Sequence, residues 1–506
     1  MIGLLGTLFD GCALPDLGRR SISSALSPTE GADTALGRAI ALRAQAHPGK
    51  TGIHVLRNPL EAFAARVRLA RAAQKTLDVQ YYIWRGDTTG TLLLRELQAA
   101  AQRGVRVRLL LDDNGTTGLD TELAALNGHA NIEIRLFNPF MIRKPKPIGF
   151  LTDFPRANRR MHNKSFTADS QATIIGGRNV GNRYFGAAQG VVLADLDVLA
   201  VGSVVCDVFA DFDRYWSSRS SYPAQLILPK VGPAQLQAVN ESAARLVSTP
   251  AATKYLQTIS QSDFITDLLR GTLSFEWADT RMVSDDPAKG LGKAKAEGLL
   301  IQQLREILGE PMSHIELVSP YFVPTAAGTE AFVRMAERGV KIRVLTNSLA
   351  ATNVAAVHAG YAKRRKDLLR AGVSLYEMRR TSPDTDPKEG LGRFGSSSSS
   401  LHAKTFAVDG ARVFVGSFNF DPRSAELNTE LGFVIESPDM ARTIEAAFDS
   451  TIPANSYEVL LSKSGKLYWL EQWEGQPVRH DTEPQTTFWK RASVACISIL
   501  PIEWML

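Results

Sequence analysis

His162-Asn163-Lys164 with Asp169, and His402-Ala403-Lys404 with Asp409, are two copies of one His-x-Lys-x4-Asp pattern, the second lying 240 positions after the first (162 to 402). Each copy leads to a small-residue turn ending in asparagine: Gly176-Gly177-Arg178-Asn179 in the first, Gly416-Ser417-Phe418-Asn419 in the second, again 240 apart (179 to 419). Upstream, the strand-like run Leu77 to Trp84, with the aromatic pair Tyr81-Tyr82, is echoed by Ile315 to Val323 with Tyr321-Phe322, whose aromatics keep the 240-residue offset (81 to 321). After each pair comes a helical pattern, Leu92 to Arg103 and Thr329 to Arg338, closed by Gly104 or Gly339 and leading to an apolar strand, Val105 to Leu111 or Val340 to Thr346. Strand, helix, glycine, strand is a β-α-β unit. The sequence therefore predicts an α/β fold (an α+β sandwich) made of two duplicated βα-β domains packed around one shared site. One such pattern alone is weak evidence, whereas two in register, each with its asparagine, are strong.

The residue types suit phosphodiester chemistry. In each copy His and Lys are i and i+2 on what reads as a strand, so both side chains point to one face. One imidazole can attack phosphorus while another protonates the leaving oxygen, and Lys164, Lys404, Asn179 and Asn419 can stabilise the negative oxygens of the transition state. This scheme needs neither a metal nor a cofactor. The eight histidines and three cysteines show no zinc-ligand spacing, and no dense carboxylate group of the Mg²⁺ kind stands out.

With two His-Lys-Asp motifs, each followed by a Gly-x-x-Asn segment, the chain resembles the phospholipase D superfamily over roughly residues 52 to 440. More narrowly, Gln80-Tyr81-Tyr82-Ile83-Trp84, Leu111-Asp112-Asp113-Asn114, Gly176 to Asn179, His358-Ala359-Gly360-Tyr361 and Leu500-Pro501-Ile502-Glu503-Trp504 are similar to bacterial cardiolipin synthases of the C type. That resemblance implies two phospholipase D-like domains, phospholipid substrates, and transfer of a phosphatidyl group to the headgroup glycerol of phosphatidylglycerol. It also implies His162 as the nucleophile that becomes a phosphohistidine and His402 as the general acid and later base, or the reverse. Glu430, and Asp195 or Asp197, stand where the family places carboxylates that orient each histidine's second nitrogen. Asp169 and Asp409 count with the motif but end its strands, where a turn or structural role is expected. The chain departs from the pattern at Gly177, where its own second copy has Ser417, so a phosphate contact from a hydroxyl is expected in one half only.

Composition bounds the setting. With 506 residues, 44% hydrophobic and 22% charged, the chain has ordinary globular composition, and a net charge of +6 is a mild basic bias compatible with an anionic lipid surface, nucleic acid or a phosphate substrate without choosing between them. Cys12, Cys206 and Cys496 are too few and too scattered for a disulfide framework. No apolar run is long enough to span a bilayer. Membrane contact is therefore expected from the surface: from Phe488 to Leu506, with Trp489 and Trp504 as interface anchors, and from Met141 to Arg160, read as a basic, apolar-tipped loop. A docked terminal helix and an ordinary solvated loop are the alternatives. His358, Tyr361, Arg364 and Arg365 are further candidates for headgroup contact. Phe9-Asp10-Gly11-Cys12 loosely resembles a lipoprotein box, which would anchor Cys12 at the inner membrane.

The expected organisation is a flexible leader (1–50), a first domain (51–222), a helical connector (223–290), a second domain (291–470) and a membrane-contacting segment (471–506). Asp285-Asp286-Pro287-Ala288-Lys289-Gly290 marks a boundary, and Gly395 to Ser400 reads as a flexible approach loop before His402. Three classes fit: a phosphatidyltransferase; a phospholipase D hydrolase or a nuclease; and a non-catalytic lipid-binding descendant. Intact His/Lys pairs argue against the last. The lack of a strongly basic groove argues against a nucleic-acid partner.

Overall fold

The computed structural model describes residues 14–18, 20–186, 195–352, 354–380, 401–473 and 475–506. Cys12 and the Gly395 to Ser400 stretch lie outside them. Of the described residues, those up to 186, Asp197–Leu300 and Leu427–Leu431 form one compact unit, and 195–196, Ile301–Glu426 and Gly432–Leu506 form another. The connector expected at 223–290 thus belongs to the first unit. Each unit also holds a short segment that the sequence places among the residues of the other.

The first unit is built on a sheet of β1 (Thr51–Leu56), β2 (Thr76–Tyr81), β3 (Arg106–Asp112), β4 (Ile132–Phe137), β5 (Ser165–Ala168), β6 (Ala172–Gly176), β7 (Asp197–Gly202), β8 (Ser221–Pro223) and β9 (Glu276–Ala278), in the order β8-β4-β3-β2-β5-β6-β7-β1-β9. A further strand, β10 (Thr280–Ser284), follows. The second unit has β11 (His314–Val318), β12 (Lys341–Asn347), β13 (Ser374–Met378), β14 (Thr405–Val408), β15 (Arg412–Gly416), β16 (Leu431–Glu436), β17 (Ser456–Leu461), β18 (Leu467–Trp473) and β19 (Gln476–His480), with β16-β15-β14-β11-β12-β13-β17-β18-β19 side by side. The run β4-β3-β2-β5-β6-β7 recurs as β13-β12-β11-β14-β15-β16 with the same parallel and antiparallel pairings. That repetition is the duplication expected from the 240-residue offset.

The register refines it. Leu77 pairs with Ala168 and Ile315 with Val408, so β2 and β11 align two residues short of the offset kept by the motif strands. This alignment superposes a buried ion pair in each half. Arg108 on β3 grips Asp78 on β2 through two bonds (2.6 and 2.9 Å), and Arg343 on β12 meets Glu316 on β11 at 2.9 Å. Buried charges persist only when paired, so these residues lock neighbouring strands in one register. Gly104 and Gly339, both with φ near +90°, end the helices Thr88–Gln102 and Thr325–Glu337 before β3 and β12. A short turn over Ala296–Gly298 leads into the helix Leu300–Leu308.

The leader expected to stay flexible to Lys50 is ordered from residue 20 onward. Ser27 and Glu30 cap the helix Pro28–Ala32, and Thr34 caps Ala35–Gln45, whose Leu36 and Ile40 enter the main core. Before them, the carbonyls of Ser21 and Ser23 accept from Arg135 and Arg108, and Ala25 N–H donates to Asp213 at 2.8 Å. The Ser/Gly/Ala-rich composition conceals this because the partners are arginines on distant strands. Leu36→Ala is expected to destabilise the protein by about 2–5 kcal/mol, read from urea unfolding; an unchanged midpoint would restore the leader to a passive role.

Candidate active site

In the first unit the backbone at the first motif is held from two sides. Met161 N–H donates to Asp112 Oδ2 at the end of β3 (2.8 Å). His162 N–H donates to the Thr429 carbonyl (2.8 Å), and Thr429 N–H returns to Arg160 (2.9 Å). The Thr429 hydroxyl donates to Asn163 Oδ1 at 2.8 Å. This short ladder delivers the neighbouring Glu430, whose Oε2 lies 2.7 Å from His162 Nδ1. Glu430 is completely buried and His162 is 6% exposed. In the second unit Asp195 Oδ2 stands 2.7 Å from Nδ1 of His402, a more open imidazole. A carboxylate on Nδ1 holds the proton there and keeps the lone pair on Nε2, raising its basicity. Each histidine is thus prepared to donate or accept at Nε2.

The sequence leaves Asp195 and Asp197 as alternatives for the second orienting role. Asp195 is the one beside His402. Asp197, at the start of β7, is buried against Arg66 at 2.8 Å and Arg178 at 3.2 Å in the first unit, so it is an architectural charge. Arg178, from the first asparagine turn, also donates to the carbonyls of Leu56 and Arg57.

Lys164 Nζ donates to the His162 carbonyl, and Lys404 Nζ to that of His402 at 2.5 Å. Both lysines are therefore drawn in beside their histidines. Tyr82 is a neighbour that motif reading alone misses. Its ring packs edge-on to the His162 imidazole at 4.9 Å, with Lys164 Nζ 5.7 Å from the ring centre. The aromatic pair after β2 is the sequence signal that could have found it. Asn179 Oδ1 accepts from Ile83 N–H at 3.1 Å, and its buried Nδ2 has no partner among the described residues. Asn419 Oδ1 is likewise buried and unpaired among them. Such groups are costly unless something polar meets them; the Asn179 Nδ2 is free to donate, whereas the Asn419 Oδ1 can only accept. Ser417 is buried in the second turn.

Asp169 and Asp409, for which the sequence predicts a turn or structural role, hold backbone groups. Both adopt positive φ at the turns after β5 and β14. Asp169 accepts backbone N–H groups of Gln74, Lys75 and Thr76; Asp409 accepts those of Met312, Ser313 and His314. They pin the motif hairpin to the approach of β2 or β11. Burial raises Asp409, but those N–H groups outweigh it and hold the carboxyl below its ordinary range.

Two other expectations are corrected. His358, Tyr361 and Arg365 are buried: Arg365 bonds Glu377 at 3.0 Å and also Glu483, and His358 meets Glu483 at 3.3 Å. They form an internal charge network that no headgroup needs to complete. In the Met141 to Arg160 loop, Arg143 and Lys146 are spent on Asp113 and Asp120, Arg160 on Asp112, and Arg156 on Asp153. Burial pushes Asp113 up, yet Lys146 and Arg143 hold it below the usual carboxylate range. The loop exposes apolar Ile148, Leu151 and Phe154, with Lys144 its exposed cation.

A family model described as "Cardiolipin synthase, PLD-like domain" matches residues 67–216 and 304–452. Cardiolipin synthase C of Escherichia coli K12 is 51% identical over 460 residues, covering 91% of this chain and 97% of its own length. The chain belongs to the PLD-like cardiolipin synthase family. An uncharacterized protein of Helicobacter pylori 26695 is 30% identical over 474 residues, 92% of each chain. The crystal structure of phosphatidylserine synthase from Haemophilus influenzae shares the fold, with a TM-score of 0.58 at 12% identity over 92% of this chain and 99% of that one. Within the PLD-like ranges fall both His-x-Lys pairs, both asparagines, Asp195 and Glu430.

Two neighbouring aspartates separate site from scaffold. Asp195→Asn is expected to lower turnover about 10–100-fold while leaving urea stability near wild type. Asp197→Asn, which strips Arg66 and Arg178 of their counter-charge, is expected to cost about 3–5 kcal/mol of stability. The reverse pattern would exchange their roles.

Proposed function

We propose that this protein is a phosphatidyltransferase that makes cardiolipin from phosphatidylglycerol and a second phospholipid, phosphatidylethanolamine being one candidate donor. The observation that carries the reading is the extent of the match to Cardiolipin synthase C, 97% of whose length is covered, combined with two intact His-x-Lys pairs each backed by a carboxylate. In the proposed reaction both pairs act on one phosphodiester. His162 Nε2 attacks phosphorus, the bond to the headgroup oxygen breaks, and His402 gives that oxygen its proton. The resulting phosphohistidine is then attacked by the glycerol hydroxyl of phosphatidylglycerol, whose proton passes to His402, restoring both histidines. Lys164, Lys404, Asn179 and Asn419 balance negative charge on the equatorial oxygens. The fully buried Glu430 behind His162 supports the nucleophilic role, because it stabilises the imidazolium-like charge of a phosphorylated ring.

A lipid substrate requires access to a bilayer. No helix among the described residues is long and apolar enough to cross one. We place the enzyme peripherally on the bacterial inner membrane, resting on two apolar surfaces. The helix Phe488–Ile499 docks by Val494 and Ile497 against Leu349 and Ala359, while Phe488, Trp489 (79% exposed), Ile499, Leu500 and Trp504 remain outward. The tail is thus both docked and apolar outside, the form suited to the headgroup layer. The Ile148, Leu151 and Phe154 tip, with Arg143, Lys146, Arg156 and Arg160 of its loop paired internally and Lys144 left exposed, is the second surface.

Incubating pure protein with labelled phosphatidylglycerol, with and without phosphatidylethanolamine, is expected to yield cardiolipin in excess of phosphatidic acid. Phosphatidic acid alone would make the protein a phospholipase D, and DNA cleavage without lipid turnover a nuclease. His402→Asn is expected to accumulate phosphohistidine on His162, and His162→Ala to reduce turnover by at least about 10³-fold. In co-sedimentation with anionic vesicles, the pair Trp489→Ala and Trp504→Ala should weaken binding while turnover of a short-chain soluble substrate stays near wild type; undiminished binding would remove the tail from the membrane contact.

A further inference from the structure

The stretch Asp285 to Gly290, a mere boundary in the sequence, is built into the first unit around the residue that orients His162. Asp285 is fully buried and faces Glu430 twice: its Oδ2 accepts Glu430 N–H at 2.9 Å, and its own N–H donates to the Glu430 carbonyl at 3.1 Å. Its Oδ1 takes the Leu300 N–H at 2.8 Å, and buried Lys289 donates to Oδ2 at 2.9 Å. Its carbonyl accepts from the Tyr215 hydroxyl at 2.8 Å and from Arg214 at 3.2 Å. The turn Pro287–Leu291 is itself seated, since Asn138 donates to the Gly290 carbonyl at 2.8 Å and a Cβ on Gly290 would meet Phe137 at 2.6 Å.

From this geometry we infer that Asp285, neutralised by Lys289, is a positioning residue for the Glu430–His162 pair, resting on the reading of His162 as a catalytic histidine. Both main-chain groups of Glu430 are tied to one residue, so the carboxylate is aimed from a backbone with little freedom to drift. A purely architectural ion pair has no need to grip that particular residue in both directions. The electrostatics agree. Around Glu430 stand His162, Asp285 and Lys289, with Asp211, Arg214 and Tyr215 beyond. Burial pushes Asp285 up to about 6 against the pull of Lys289, with the Glu430 charge raising it further. Lys289 is therefore the cation that opposes the upward push on Asp285; without it, burial and the Glu430 charge both drive Asp285 toward its protonated form, in which it holds the Glu430 backbone differently.

The test uses the full chain and a soluble short-chain phosphodiester, measuring kcat, KM and the pH profile. Asp285→Asn leaves one acceptor oxygen where Glu430 N–H and Leu300 N–H now use two, removes the charge that Lys289 meets, and is expected to lower kcat about 10–100-fold with KM little changed. Lys289→Gln is expected to move the acid limb of kcat/KM to higher pH, and Lys289→Arg to restore it. Wild-type kcat and pH profile in both Asp285→Asn and Lys289→Gln would overturn the inference. If Asp285→Asn fails to fold, the Lys289 pair decides, an unmoved acid limb in Lys289→Gln overturning it. His162→Ala, run alongside, separates the two levels: near-normal activity there removes the catalytic reading itself, whereas an inactive His162→Ala beside a normal Asp285→Asn removes only the positioning role.

Discussion

A carboxylate oxygen 2.7 Å from Nδ1 of a histidine occurs once in each unit, and the rest of the architecture is arranged to make that contact. An imidazole that must attack or protonate at Nε2 needs its other nitrogen occupied by a fixed acceptor. Neither histidine obtains the acceptor locally. Glu430 is 268 residues from His162, and Asp195 is 207 from His402. Each unit therefore incorporates a segment that belongs, by position in the chain, among the residues of the other. Holding such a segment takes dedicated bonds, and the Arg160–Thr429–His162 ladder together with Asp285 and Lys289 supplies them around Glu430.

Buried charge is the second constraint. Asp78 with Arg108, Glu316 with Arg343, and Asp197 with Arg66 and Arg178 set strand register and turn position, while Asp113 with Arg143 and Lys146 braces the loop ahead of the first motif. Each such ion would be costly alone, so the partners have to arrive together. Many of this chain's basic residues are consumed in this way. At that loop the exposed side chains are apolar Ile148, Leu151 and Phe154, with Lys144 as the exposed cation.

The two halves repeat one six-strand order yet differ at its margins. The first adds β8 beside β4 and the β1-β9 pair beside β7; the second adds β17, β18 and β19 beside β13. The asparagine turns diverge in the same spirit. Arg178 fills the first with a charge that holds Asp197 and the end of β1, whereas Phe418 and Ser417 make the second neutral. Among the described residues, His162 is the more enclosed of the two histidines.

The sequence by itself determined the duplication, the α/β class, the His and Lys pairs and the asparagines, because all of these depend on short-range spacing that repeats at a constant offset. It also brought Glu430 and Asp195 within reach as candidates through family resemblance. Tertiary structure alone decided between Asp195 and Asp197, since two acids two positions apart on an extended chain share a composition and differ only in what they meet. It alone named the backbone groups that Asp169 and Asp409 hold, moved Lys146, His358 and Arg365 from surface to interior, and packed the leader beyond residue 20. These outcomes rest on partners tens to hundreds of residues away, and a charged side chain's role is set by whether such a partner removes it from water, which local pattern does not encode.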